Sequence, residues 1–251
     1  MELARLTWQD VRNTMETRHV ALVPVGAIEQ HGPHLPLGTD GFVASRIAHD
    51  VATSRDLLLS PGISIGVSRE HRQFPGTLTV LPEQLRDHAM AIARSFAGHG
   101  LRRLVFVNGH GSNVSPLEEA ARRLREESVY AFVFNWWEST ASILAKTFPD
   151  PTAHAGSIET SLMLAIDPDL VRRDRFAEAG GTGQWGTYVE GVLVGFDAAD
   201  FTEAGNVGDP RLASAEKGEA VLRAANEALA RFCDWLAGRT EDELAPPPGR
   251  S

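Results

Sequence analysis

Arg103–Asn113, "RLVFVNGHGSN", joins an apolar six-residue run to a glycine-framed histidine, and Ser115-Pro116-Leu117-Glu118 follows at once. Such a run, rich in Val and Phe and ending on a turn, reads as a strand buried on both faces. Ser115 and Glu118 have the spacing of a capping box with Pro116 at the first helical position, which predicts a helix to about Glu127. "VYAFVFN" (Val129–Asn135) then repeats the strand pattern. Strand, helix and strand in that order mark a parallel α/β unit.

The same unit recurs upstream. "HVALVPV" (His19–Val25) is a Val-rich run that stops at Gly26, and Val43, Ile47 and Val51 recur at helical spacing between Gly41 and about Arg55. "LLLSP" (Leu57–Pro61) is a short strand, and Pro82 opens a helix that runs to Gly98. Thr7, with Asp10 three residues on, caps a short helix near the N-terminus. Beyond Ala165 the rhythm changes: Gly180–Asp209 is Gly-rich and aperiodic, suited to a lid or an oligomer contact. An amphipathic helix, Ala213–Leu236, closes a domain spanning 1–238, and 239–251 reads as a flexible tail. The expected fold is a three-layer α/β/α sandwich around a mostly parallel sheet.

Composition limits the partners. With 24 Lys and Arg against 33 Asp and Glu, the net charge is −9, and no basic cluster offers a nucleic-acid or acidic membrane surface. A chain of 251 residues that is 43% hydrophobic can build one sizeable core. Its single cysteine, Cys233, leaves no internal disulfide to form, which suits a reduced, cytoplasmic setting. No apolar run has signal-peptide or membrane-spanning length.

In open α/β sheets, ligands bind outside the carboxyl ends of the strands. Each strand end here delivers polar, ligand-type groups. "VGAIEQHGPHLPLGTD" (Val25–Asp40) supplies Glu29, His31, His34 and Asp40, and "SREHRQFPGT" supplies Glu70, His71 and Arg72. His110 follows the third strand and Trp136-Trp137 the fourth, while "HAGSIETS" adds His154 and Glu159. Glu29 and His31, one residue apart in an extended segment, point to the same side. Imidazoles and carboxylates without thiolates suit Zn²⁺, with Mn²⁺ or Fe²⁺ favoured by more oxygen-rich shells. Structural roles compete for individual residues. His71 between Glu70 and Arg72 could belong to a surface ion-pair cluster, His34 to loop structure, and the tryptophans to packing. His19, His49, His88 and His99 read as surface residues.

"VPVGAIEQHGPHLPLGTD", "SREHRQFPGTLTV", "LVFVNGHGSN", "HAGSIETSLML" and "GNVGDPRLASAEKG" together resemble the creatininase (creatinine amidohydrolase) family, from about Leu6 to Leu236. The resemblance implies an α/β/α sandwich, commonly a hexamer, with two divalent metal ions per chain and a small-molecule substrate. It implies that Glu29 and His31 bind different ions, that Asp40 bridges them, and that His110 completes one shell. His154 falls on the family's acid/base histidine, and Trp137 on one of creatininase's substrate-pocket tryptophans. Two positions depart from creatininase: a glutamate ligand is replaced by Ser112, and a second pocket tryptophan by Asp150. Glu159 is the candidate to replace the lost ligand or to support the site from behind, and His71 is a candidate substrate contact.

"HGSN" and the "SREHRQFPGT" pattern are closer to the family's formamide deformylases, mycofactocin-maturation peptidase and lactone-type hydrolases. The expectation is a metal-dependent amidohydrolase that cleaves a cyclic amide or formamide C–N bond. A peptidase or lactonase on the same site, or a non-catalytic scaffold that kept the fold, is the alternative.

Overall fold

The four apolar runs of the sequence enter one parallel sheet in the computed structural model, which describes residues 1–148, 154–179 and 185–247. In chain order, the first half comprises α1 (Trp8–Met15), β1 (Ala21–Val25), α2 (Thr39–Ser54), β2 (Leu58–Leu59), α3 (Pro82–Gly98) and β3 (Arg103–Asn108). Then come α4 (Val114–Glu126), β4 (Tyr130–Asn135), α5 (Trp136–Ser139), α6 (Ala141–Thr147) and α7 (Ser157–Ile166). A hairpin of β5 (Thr187–Val189) and β6 (Val192–Gly195), the long α8 (Ala215–Ala237) and α9 (Glu241–Leu244) complete it.

The sheet order is β2-β1-β3-β4, every pair parallel. Alternate side chains of each strand serve opposite layers. Leu22, Val105 and Val107 pack with Ile47 of α2, Leu162 of α7 and Leu229 of α8. Ala21, Val23, Leu104 and Phe106 pack with Leu85 of α3 and Leu117 of α4. This is the expected α/β/α sandwich. Burying a side chain such as Phe106, fully inaccessible here, stabilises by about 1.5–3 kcal/mol.

The chain passes from β1 outward to β2 and then crosses back to β3 on the other side of β1. Neighbouring β1 and β3 therefore lead into loops that diverge, which leaves a crevice at their carboxyl ends. That crevice receives the "IEQHGPH" and "GHGSN" loops.

Three boundaries differ from expectation. The Ser115 capping box does not form: a 3₁₀ turn, Gly111–Asn113, runs directly into α4 at Val114, so Ser115 is already inside the helix. Asn113 precedes α4 without capping it, because its side chain accepts from Val67 N at 2.9 Å and donates to Gly26 O at 3.0 Å. The stretch read as aperiodic contains the β5–β6 hairpin, turned by Glu190 and Gly191, both at positive φ. The segment read as a flexible tail begins with α9, capped by a reciprocal Thr240–Glu243 box. Leu244 of α9 is buried in the core, and Arg125 donates to its carbonyl at 2.7 Å. The Thr7–Asp10 capping box of α1 forms as expected.

Candidate metal centre

Two of the site's carboxylates sit in first turns of helices. Asp40 is in the first turn of α2 and Glu159 in that of α7, where the unpaired N–H groups favour negative charge. Ala155 N donates to Glu159 Oε2 at 2.6 Å and fixes that carboxylate. Glu29 and His31 follow β1, and His110 follows β3 across a glycine that lets the turn lie against α2. All five side chains meet in the crevice.

Asp40 stands at the centre. Its Oδ1 lies 3.2 Å from His31 Nε2, and its Oδ2 lies 3.3 Å from His110 Nδ1. Beyond His31 comes Glu159 Oε2, 3.9 Å away, and beside His110 comes Glu29 Oε1, 3.2 Å away. Two triads result, Glu29–Asp40–His110 and His31–Asp40–Glu159, each with its ligand atoms within 4.8 Å of one another. A third grouping, Glu29–His31–His154, spans the two.

Both histidines of the triads have their other nitrogen engaged. His31 Nδ1 lies 3.2 Å from Glu29 O, and His110 Nε2 lies 2.7 Å from Val67 O. A carbonyl can only accept, so the proton of each neutral ring sits on that nitrogen, and His31 Nε2 and His110 Nδ1 are left as lone-pair donors. Glu29 Oε2, His31 Nε2 and Asp40 Oδ2 are buried with no hydrogen-bond partner. Buried polar atoms rarely stay unpaired, and three of them converging here fit a bound cation.

Charge leads to the same fit. Burial alone would keep His31 neutral, yet Asp40, Glu159 and Glu29 outweigh it and raise its pKa to about 10. Burial likewise opposes a charged His110, and Glu29 and Asp40 lift it well above the ordinary range. Asp40 moves the other way: despite burial, the two imidazoles hold its carboxyl well below the usual range. The pocket demands positive charge, which a divalent cation supplies without a proton.

Other histidines surround the triads. His154 Nε2 lies 3.0 Å from Gln30 O, and its Nδ1 faces Glu29 Oε1 at 4.0 Å. Burial, with His31 nearby, lowers its pKa to about 4. His71 is buried rather than part of a surface ion-pair cluster: Glu70 turns to Ser112, while Arg72 pairs with Asp197. His71 Nδ1 contacts Gln30 Nε2 at 2.7 Å, and its Nε2 faces Glu29 Oε1 at 3.5 Å. His34 lies outside the triads, with Nε2 on Thr160 Oγ1 at 2.9 Å and its ring edge-on to Phe176. His19, His49, His88 and His99 are exposed.

A cavity of about 490 Å³ opens onto the triads. Trp136, Trp137, Leu144 and Ile158 line its apolar side, and Glu70, His71, His154 and Glu159 its polar side. Trp136 is also core, so packing and cavity wall are one role for it. Asp150 lies outside the described residues.

Two contributors, Gln30 and Trp185, were not singled out from sequence, and Glu70 was named only as a ligand-type group at its strand end. Gln30 is buried; its side-chain amide joins His71 and Gly205, and its backbone carbonyl meets His154. Glu70 lines the cavity beside Ser112. Trp185, from the stretch before the hairpin, lies 5.2 Å from His71 and 5.3 Å from His154 between ring centroids, backed by Phe201. An aromatic in a Gly-rich, aperiodic stretch was the one available signal for Trp185.

Comparison with known proteins agrees with this architecture. Residues 4–233 match the family model described as creatininase, creatinine amidohydrolase. A mycofactocin precursor peptide peptidase of Mycobacterium ulcerans is 37% identical over 227 residues, 86% of each chain. A creatinine amidohydrolase of Pseudomonas putida is 30% identical, covering 91% of this chain and 94% of its own. Among solved structures, a mutant creatininase of Zn–Zn type superposes with a TM-score of 0.80 at 28% identity, over 98% of both chains.

Proposed function

The chain belongs to the creatininase family of hydrolases acting on amide bonds, and from that premise we propose that it cleaves an amide C–N bond at a pair of divalent cations. The observation that carries this is Asp40, whose two oxygens each face a different triad. Glu29, Asp40 and His110 would hold one ion, and His31, Asp40 and Glu159 the other. Zn²⁺ is the first expectation, with Mn²⁺ or Fe²⁺ as alternatives. When bound, such a pair polarises a carbonyl and brings the pKa of water near neutrality.

The protein's own side chains do the rest. Gln30 has two amide hydrogens, and His71 Nδ1 and Gly205 O lie at 2.7 and 2.8 Å to receive them. His154 Nε2 must then be protonated and donate to Gln30 O, which leaves Nδ1 as a free lone pair on the cavity side. A neutral His154 can take a proton from attacking water at Nδ1 and pass it to the leaving nitrogen, a service that typically gives about 10²–10⁴-fold. His71, protonated on Nε2, braces Glu29 from behind; we read it as positioning that carboxylate, with substrate contact as a second role. Trp137 and Trp185 line the cavity and give the substrate apolar walls to pack against.

For substrate we favour a peptide amide over a cyclic amide or formamide. The likeness to the peptide peptidase is greater than to the creatinine amidohydrolase, 37% against 30%. Ser112 and Asp150 are also where the chain departs from creatininase. A second copy of the chain is the expected partner, as a hexamer by family resemblance. The apolar hairpin, with Val189, Val192 and Phe196 exposed, supports such a contact. No helix among the described residues is long and apolar enough to cross a membrane, and the single cysteine supports a cytoplasmic site.

The test is elemental analysis of the purified protein together with turnover on short peptides, N-formyl compounds and creatinine. About two ions per chain and metal-dependent release of a peptide fragment are expected. A chain that binds no metal and turns nothing over would refute the proposal and leave the scaffold reading, and one that turns over equally well after chelation would refute the metal mechanism.

A further inference from the structure

Glu70 is not used by either triad, yet it lines the same cavity as Glu29, Asp40 and His110. It lies in the 3₁₀ turn Arg69–His71, and the segment leading into that turn is tied to the β3 loop. Val67 N donates to Asn113 Oδ1, and Val67 O lies 2.7 Å from His110 Nε2. Ser112 Oγ donates to Glu70 Oε1, so the carboxylate is anchored on the His110 side of the site. Glu70 Oε1 is 3.8 Å from His110 Nε2, and its side chain is only about one-fifth exposed. Among the described residues it pairs with no lysine or arginine; Arg72, two residues on, is engaged by Asp197. Apart from the His110 ring, no cationic side chain among the described residues faces this carboxylate, and the cavity itself is where a further counter-charge would sit.

We propose that Glu70, anchored by Ser112, is a carboxylate of the metal centre that serves the ion of the Glu29–Asp40–His110 triad. This rests on the metal reading above. The direct ligands of that ion are the triad's own atoms. Glu70 is a positioning residue: it stabilises the cation's charge and holds the His110 side of the site in place. Residues that support ligands in this way typically change metal affinity by about 10–100-fold when lost. Because the Ser112 hydroxyl touches the Glu70 carboxylate, a longer side chain at 112 reaches the same place. The carboxylate should therefore be movable from one loop to the other.

The experiment is a Co²⁺ titration of the metal-free protein, followed by visible absorbance, with circular dichroism to confirm folding. The wild type should take up two ions. In Glu70→Gln one ion should bind as before and the other about 10–100-fold more weakly. Ser112→Ala, which keeps the carboxylate but frees it, should show a smaller loss on the same ion. The exchange variant Glu70→Ser/Ser112→Glu should recover the second ion. Glu70→Gln binding both ions with wild-type affinity would overturn the inference, even if its turnover fell. A wild type that binds no Co²⁺ would instead overturn the metal reading on which it stands.

Discussion

A methyl group on Gly109 would meet the carbonyl oxygen of Asp40 at 2.2 Å. The turn after β3 therefore lies directly on the first turn of α2, and this brings His110 Nδ1 to the Asp40 carboxylate. Gly109→Ala must push the two loops apart. Overpacking of this kind typically costs about 1–3 kcal/mol. We expect a lowered melting temperature and a weakened ion at the His110 triad, with the His31 triad less affected. A calorimetric scan paired with metal titration checks both. Wild-type melting and full metal occupancy would show that the close approach is not needed.

The shared Asp40 makes metal loss unequal across the ligand set. His31→Ala should empty one site and His110→Ala the other, each leaving about one ion per chain. Asp40→Ala should release both and abolish turnover, because each triad loses its common member. Metal-free wild type should also melt lower than the loaded protein, since only the native state holds the ions and protonated His31 and His110 supply less positive charge to Glu29, Asp40 and Glu159 than two divalent cations. At a metal concentration about 100 times Kd, the stabilisation should approach about 2.7 kcal/mol for each ion bound. Elemental analysis and paired melts read this pattern. Equal stoichiometry in all three variants would contradict a bridging Asp40.

Cys233 gives a pH-dependent prediction far from the site. Its thiol is almost fully buried in α8, and burial, with Asp234 beside it, pushes its pKa up to about 12. In the unfolded chain it would ionise near the ordinary value of about 8.5. Between those two values the native state holds a proton that the unfolded state has released. This contribution to stability is therefore complete below about pH 8.5 and falls as pH rises towards 12. At neutral pH the native thiol should resist an aromatic disulfide reagent and react stoichiometrically once unfolded. Rapid labelling of the native protein would refute the burial.

The parallel sheet was legible because its strands are apolar on both faces and its helices carry matching stripes; Arg103–Asn108 appears in the structure with its boundaries unchanged. The candidate ligands stood out for a related reason: Glu29, His31, Asp40 and His110 are costly residues at strand ends where no core explains them. What the sequence left hidden depended on distant contacts. Asn113 gives up capping α4 because Val67 and Gly26, far off in the chain, claim its side chain. Leu244 joins the core layer of α2, α7 and α8 while Arg125 of α4 holds its carbonyl, so a polar, Pro-rich segment that looked free begins with a docked turn. Ser112 looked like an absence, and the structure fills the space beside it with Glu70. None of these partners is fixed by local spacing.

Gln30 is the sharpest case, since a neutral amide between Glu29 and His31 carries neither the charge nor the ligand chemistry that marks its neighbours. Its carbonyl oxygen accepts from Gly32 N at 2.9 Å, and that fixes which end of the amide faces the histidines. The NH₂ end then assigns the proton of His71 to Nε2, and the backbone carbonyl of the same residue assigns that of His154 to Nε2. Gln30→Glu would put an acceptor where His71 Nδ1 now accepts, so His71 must move its proton to Nδ1 and present a lone pair to Glu29. Two lone pairs would then face each other at a buried site, with repulsion that loosens Glu29. Gln30→Leu would leave His71 Nδ1 unpaired and remove the tie to Gly205 O. In both variants we expect about two ions still bound and kcat lowered roughly 10–100-fold, with the glutamate variant also weakening the ion of the Glu29 triad. Nitrogen-15 spectra of the histidine side chains, recorded on the metal-loaded protein, would report the change in His71 protonation directly. Unchanged spectra in Gln30→Glu would show that the amide does not set the tautomer.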